Sequence, residues 1–195
     1  DFPDARPLEL LAALVIPAPH IGFLRSSESG KLDPFHDRKV MALSLVLADQ
    51  LRPAMTVVLG DLLDLPDWSD KFLKSPEFYH TFQPTLYEAG WWLAQWKKRS
   101  RRVVWIPGNH DQRILKAVWT YMPQVYGIKP ANTPNPLPVL SLENLLGLPY
   151  IGVELAEEYP RGKVWINDGL ALEHGTDLAH KSGGSVGKTL DRSRQ

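Results

Sequence analysis

The run RVVWIPGNHD, Arg102 to Asp111, passes through an apolar stretch and then sets an amide, an imidazole and a carboxylate on Asn109, His110 and Asp111. A short continuous apolar run closed by proline and glycine is the pattern of a strand buried on both faces of a parallel sheet. Polar groups just past the carboxyl end of such a strand face the crevice where open α/β sheets bind ligands. Two further runs repeat the design. LAALVIP, Leu11 to Pro17, leads into APHIG with His20, and MTVVLG, Met55 to Gly60, leads into GDLLD with Asp61 and Asp64. Between them, from His36 to Leu51, Val40, Met41, Leu43, Val46 and Leu47 recur at helical spacing until Pro53, which predicts a packed helix capped by Asp33 or Asp37. Strand, helix and strand together predict a parallel βαβ unit with a right-handed crossover.

EAGWWLAQWKKRSRR predicts a helix with Trp92 and Trp96 on one face, DQRILKAVWTYM predicts another, and PANTPNPLP reads as a loop. The polar, proline-punctuated segment 61–90 reads as a long insertion at the rim rather than as core, and His80 within it receives no role. KVWINDGLALEH predicts a hairpin turning at Asn167-Asp168-Gly169, because Asp-Gly tolerates positive φ, and its second strand ends in His174. KSGGSVGKTLDRSRQ opens as a flexible stretch and turns helical. With no internal repeat in sight, residues 1–195 read as a single α/β domain.

At 195 residues and 44% hydrophobic content the chain can bury a full core without staples. Lys+Arg and Asp+Glu both total 22, so no global field draws the protein to nucleic acid or to a membrane surface. The absence of cysteine excludes disulfides, thiolate metal sites and cysteine nucleophiles, and suits a reducing compartment. Leu8 to Pro17 is too short to span a bilayer and lacks a basic leader, so the expectation is a soluble cytoplasmic protein.

Strand ends carrying His20, Asp61, Asn109 and His174, in a chain without Cys, offer an N/O ligand set suited to hard or borderline divalent metals. Each alone is a weak signal, since histidines after strands are usually structural and Gly-Asp is common in turns. Their order is specific. PHIG, GDLLD, GNHD and HG resemble the calcineurin-like metallophosphoesterase superfamily, whose motifs run D-x-H, G-D-x-x-D, G-N-H-[DE], H and G-H-x-H. GDLLD and GNHD match without a gap, and the motif order covers roughly residues 11 to 190.

The resemblance implies a four-layer α/β/β/α sandwich with two divalent metal ions at the strand ends. It implies hydrolysis of a phosphate ester, a phosphodiester first, with nucleic acid among the candidate substrates, or else a phosphomonoester. Mn2+ is the working metal, with Fe, Zn, Mg or Ni as alternatives. By the same resemblance His20 would bind the first ion, Asp61 would bridge both, and Asn109 and His174 would bind the second. His110, oriented by Asp111, would serve the leaving oxygen, and Asp64 would orient ligands from behind them. Two cations polarise a phosphoryl group and acidify water, and a bridging carboxylate holds them together against their repulsion.

The pattern breaks at two places. Ala18 stands where the first motif has its metal-binding aspartate, and a methyl group cannot bind a metal. Ala18 reads either as a natural degenerate site or as an inactivating replacement, and with every neighbouring motif intact the replacement is the favoured reading. The final G-H-x-H motif is absent, which reads as a truncation. These departures motivate an alternative, a catalytically inactive binding or scaffold domain on the same fold. A third reading, nucleotide binding by the P-loop-like SGGSVGKT at 182–189, lacks the first glycine and the preceding strand that the motif requires. His180 is a substitute for His174 in the fourth motif, though Gly175 favours His174. KKRSRR, 97–102, is a nucleic-acid candidate, but cations at a helix carboxyl end are sufficiently explained by the helix dipole.

Overall fold

In chain order the protein forms β1 (Ala13–Pro17), β2 (Phe23–Arg25), β3 (Leu32–Pro34), α1 (Arg38–Leu51), β4 (Met55–Leu59), α2 (Phe82–Arg99), β5 (Arg102–Ile106), α3 (Arg113–Tyr121), α4 (Leu142–Leu145), α5 (Leu148–Ile151), β6 (Glu154–Leu155), β7 (Lys163–Asn167) and β8 (Leu170–Glu173). The computed structural model describes residues 12–69, 75–132, 134 and 137–175.

The three apolar runs become β1, β4 and β5 of one parallel sheet, ordered β1-β4-β5-β6. Pro17 lies level with Leu59 and Leu59 level with Ile106. The three following loops therefore leave the sheet at one height, which is what lets distant residues meet. Both faces are covered, as continuous apolar strands require. On one face Val58, Val103 and Trp105 pack with Trp92, Leu93, Trp96 and Met41; on the other Val57, Val104 and Ile106 pack with Val164 and the half-buried Ile166 and Leu172. The alternation along each strand divides these two cores, with helices over one face and the β7–β8 hairpin over the other. The hairpin forms where expected, yet neither Asp168 nor Gly169 adopts positive φ. Gly169 N–H instead donates to the Asn167 side chain at 2.9 Å, and the register shifts between Trp165 and Asn167.

Helix α1 is capped by Asp37, whose carboxylate accepts from Lys39 and Val40 N–H, and ends at Arg52 in the left-handed region before Pro53. Its buried face differs from the predicted one. Met41, Ser44 and Ala48 are buried, while Val40, Leu43, Val46 and Leu47 are exposed. The period is helical as expected but the phase is rotated, because small residues let the large ring of Trp96 approach. Trp96 Nε1 donates to Ser44 Oγ at 2.9 Å inside that contact.

Helix α2 begins at Phe82, inside the segment 61–90 that read as a rim insertion. That reading is corrected by burial: Leu62, Leu63, Leu65, Leu86 and Ala89 belong to the main core. Pro84 misled it, since a proline in the first helical turn removes an N–H that has no intrahelical partner anyway. At the other end of α2, Lys97 donates to Arg101 O, Arg99 pairs with Asp49, and Arg102 grips Glu154 with two nitrogens, so three cations of the basic run are locally engaged. No helix among the described residues is long and apolar enough to cross a membrane.

Candidate metal centre

The loops after β1, β4 and β5 converge at the level strand ends. His20 N–H donates to Asp61 O at 2.9 Å and Ile21 N–H to Leu62 O at 2.8 Å, which prolongs the β1–β4 pairing past the site. Ala18, His20 and Asp61 all take positive φ, at 41°, 49° and 47°. Backbone in this region is strained for most residues and tolerated best by Asn and Asp, so Ala18 occupies a position whose conformation suits an aspartate. Two glycines complete the geometry. A Cβ on Gly108 would fall 2.2 Å from Asp61 Oδ1, and a Cβ on Gly60 would fall 1.9 Å from His174 Nδ1. The glycines of GDLLD and GNHD are thus where side chains of the site press on backbone.

Asp61 is the hub. Its Oδ1 accepts the His110 backbone N–H at 2.9 Å, and its Oδ2 lies 3.6 Å from His174 Nε2 and 3.9 Å from His20 Nε2. Asn109 Oδ1 is 3.3 Å from His174 Nε2. One ligand atom each from His20, Asp61 and His110 lie within 4.8 Å of one another. This donor set fits a divalent cation. His20 Nδ1 is buried without a hydrogen-bond partner, and burial lowers the pKa of its ring against the pull of Asp61, favouring the neutral imidazole that metals require.

His110 is held by groups other than the one expected. Its Nδ1 bonds Asp64 Oδ1 at 3.0 Å and its Nε2 meets Arg113 Nη2 at 2.8 Å, while Arg113 Nη1 donates to the same Asp64 oxygen at 2.7 Å. Because arginine only donates, Nε2 is the acceptor in this arrangement and Nδ1 carries the proton. Burial would raise the Asp64 carboxyl, but the hydrogen bond and charge of His110 and the charge of Arg113 outweigh it and hold the carboxyl below its usual range.

Asp111, expected to steer His110, instead accepts the backbone N–H groups of Gly108, Leu63 and Leu62 at 2.7, 2.8 and 3.3 Å. It is fully buried and ties the two motif loops together; burial pushes its carboxyl up to about 7 against those backbone donors. The steering contact belongs to Asp64. Arg113 was missed by sequence reasoning, and its spacing was the available signal, since it stands three residues after His110 where a helix was predicted to start. Tyr159 was missed too: its ring stands 5.7 Å from that of His174 and its carbonyl accepts from the Gln112 side chain.

The structure thus brings His20, Asp61, Asp64, Asn109, His110 and His174 together. His36 lies apart, with its side chain buried between the Gly22 backbone and Glu88. His180 and the stretch 182–189 lie outside the described residues.

The fold and site thus combine a parallel α/β sheet with an N/O cluster at its carboxyl edge that could hold a metal ion. The family model for calcineurin-like phosphoesterase matches residues 33–185, and the chain belongs to that family. Metal-dependent hydrolysis of phosphate esters is the activity the family implies. The match begins after Ala18 and His20. Neither the curated proteins nor the solved structures contain a significant match to the chain.

Proposed function

We propose that this chain is a dinuclear phosphoesterase centre acting first on phosphodiesters, with His20 on one ion, Asp61 bridging, and Asn109 and His174 on the other. The observation that carries the reading is Asp61 Oδ2, which faces both the His20 and the His174 imidazoles. Divalent ions bound there, with Mn2+ as the working choice, would supply Lewis-acid polarisation of the phosphoryl group and acidification of water. The residues do the rest. Asp64 orients His110 through Nδ1, and Arg113 places a guanidinium where phosphoryl oxygens would compete for it in bidentate geometry. Once Arg113 turns to the phosphoryl group, a protonated His110 held by Asp64 can give its Nε2 proton to the leaving oxygen.

The wider reading is a single domain over 1–195, in which the β7–β8 hairpin belongs to the second sheet of a four-layer sandwich; its support is the packing of that hairpin on the parallel sheet. Ala18 weakens the first ion's site by one anionic ligand, and that residue is the observation favouring an inactive scaffold as the second reading. The test is Mn2+-dependent hydrolysis of bis(p-nitrophenyl) phosphate and of p-nitrophenyl phosphate by the protein and its Ala18→Asp form. Turnover that rises at least tenfold in Ala18→Asp, with tighter Mn2+ binding by calorimetry, supports the dinuclear enzyme. If neither form hydrolyses either ester and neither binds two ions, the scaffold reading replaces it.

A further inference from the structure

Beside the candidate centre lies a cavity of about 370 Å3 that the metal chemistry does not use. Small-molecule sites occupy roughly 300–1,000 Å3, so its size is that of a ligand pocket. It sits at the carboxyl ends of β5 and β6, next along the sheet from the cluster at the ends of β1, β4 and β5. The loop 107–112 divides the two. Asn109 and His110 face the cluster, whereas Pro107 and Gln112 line the cavity. Leu115, Val118, Leu140 and Leu155 are among its apolar walls, and no lysine or arginine among the described residues lines it. Its one amide near the centre, Gln112 Nε2, is already committed to Tyr159 O. Glu143, Glu157 and Glu158 also border it.

A phosphoryl group finds no cationic side chain among the described residues of this cavity, and three carboxylates oppose any second anion there. An uncharged organic group fits.

We propose that this cavity is the subsite for an uncharged apolar group, aryl or alkyl, of the phosphoester whose phosphoryl group reaches the candidate metal centre. The proposal rests on the phosphoesterase reading and narrows it: compact organophosphate esters are preferred over nucleic acid, whose further phosphates would meet the glutamates.

The test has two arms. In calorimetry without metal, the protein binds 1-naphthol saturably with one site per chain, and Leu115→Trp, which fills the cavity from α3, weakens binding at least tenfold. Leu140→Trp fills it from a separate loop and serves as the second variant; circular dichroism checks that both are folded. With Mn2+, on the protein and its Ala18→Asp form, n-alkyl phosphates bind about fourfold more tightly per added methylene until the cavity is full, and the series is flat in both tryptophan variants. Equal 1-naphthol binding by all three proteins overturns the subsite. Hydrolysis of bis(p-nitrophenyl) phosphate combined with a flat alkyl series in the unsubstituted protein also overturns it, while leaving the phosphoesterase reading standing. Binding of 1-naphthol to the unsubstituted protein alone, with no phosphate ester bound by either form, keeps the apolar site and overturns the phosphoesterase reading instead.

Discussion

Replacing Gly60 by alanine should damage this protein through one identifiable atom pair. Gly60 has φ +70°, and a Cβ there would lie 1.9 Å from His174 Nδ1 and 2.4 Å from its Cγ. Two costs separate. The backbone conformation alone disfavours an L-residue by about 1–2 kcal/mol. The overlap forces His174 out of its position against Asn109 and Asp61, and overpacking of that kind costs about 1–3 kcal/mol more. Removing the imidazole should abolish the second cost and leave the first. A double-mutant cycle by chemical denaturation measures this: Gly60→Ala is predicted to cost about 2–5 kcal/mol in the native background but only about 1–2 kcal/mol on top of His174→Ala. For a chain of this size each kcal/mol corresponds to roughly 2–4 °C in Tm, so thermal melts resolve the difference. Mn2+ affinity should fall in Gly60→Ala as it does in His174→Ala, because both lose the same imidazole from the cluster. An equal Gly60→Ala penalty in both backgrounds would refute the argument that His174 occupies the space above this glycine.

The two carboxylates around His110 should separate by phenotype. Asp64→Ala frees His110 and Arg113 and is expected to lower kcat by about 10–100-fold with a stability loss near 1 kcal/mol. Asp111→Asn is expected to cost about 2–4 kcal/mol in denaturation, since its NH2 would replace one of the two accepting oxygens and face at least one buried backbone N–H. At Glu88, burial would raise the carboxyl, but hydrogen bonds from Arg38, His36 and Trp92 bring it down to about 2. The shift is downward, so its stabilisation is complete above the ordinary value of 4.5 and is lost as pH falls from there through about 2. The difference corresponds to about 3 kcal/mol, which screening at the half-exposed Arg38 reduces to about 1–2 kcal/mol. Stability of Glu88→Gln should lack that portion of the acid-induced decline; an unchanged pH profile would contradict the network. Trp96 is fully buried and bonded to Ser44, so Trp96→Ala should cost about 3–5 kcal/mol, read from urea unfolding, with a smaller loss for Trp96→Phe.

Sequence alone was sufficient where a residue type admits few uses. Runs such as VVWIP and TVVL are short, β-branched and without polar alternation, and with proline or glycine just after them they read as strands covered on both faces, which places the polar groups that follow at the strand ends. GDLLD and GNHD carried the family reading, and the family model for calcineurin-like phosphoesterase agrees with it over residues 33–185. The α1 cap was narrowed to Asp33 or Asp37, of which Asp37 caps, and the 163–174 hairpin was legible as a hairpin, though its turn closes through the Asn167 side chain rather than through positive φ.

Tertiary structure decided what depends on the partner across a gap. Which face of α1 is buried was settled by the bulk of Trp96, a residue 52 positions from Ser44, so small residues went inside and valines stayed out. The core role of Leu62 and Leu63 was hidden because the same peptide also holds motif residues and is followed by prolines that look like loop. The orienting partner of His110 was misplaced for the same reason. Adjacency in the chain suggested Asp111, but neighbouring residues on a tight turn point in different directions, and Asp111 turned inward to backbone N–H groups while Asp64 arrived from another loop and Arg113 from the first turn of α3. Residue identities name the chemistry available at a strand end; only the packing of loops around it determines which side chain meets which.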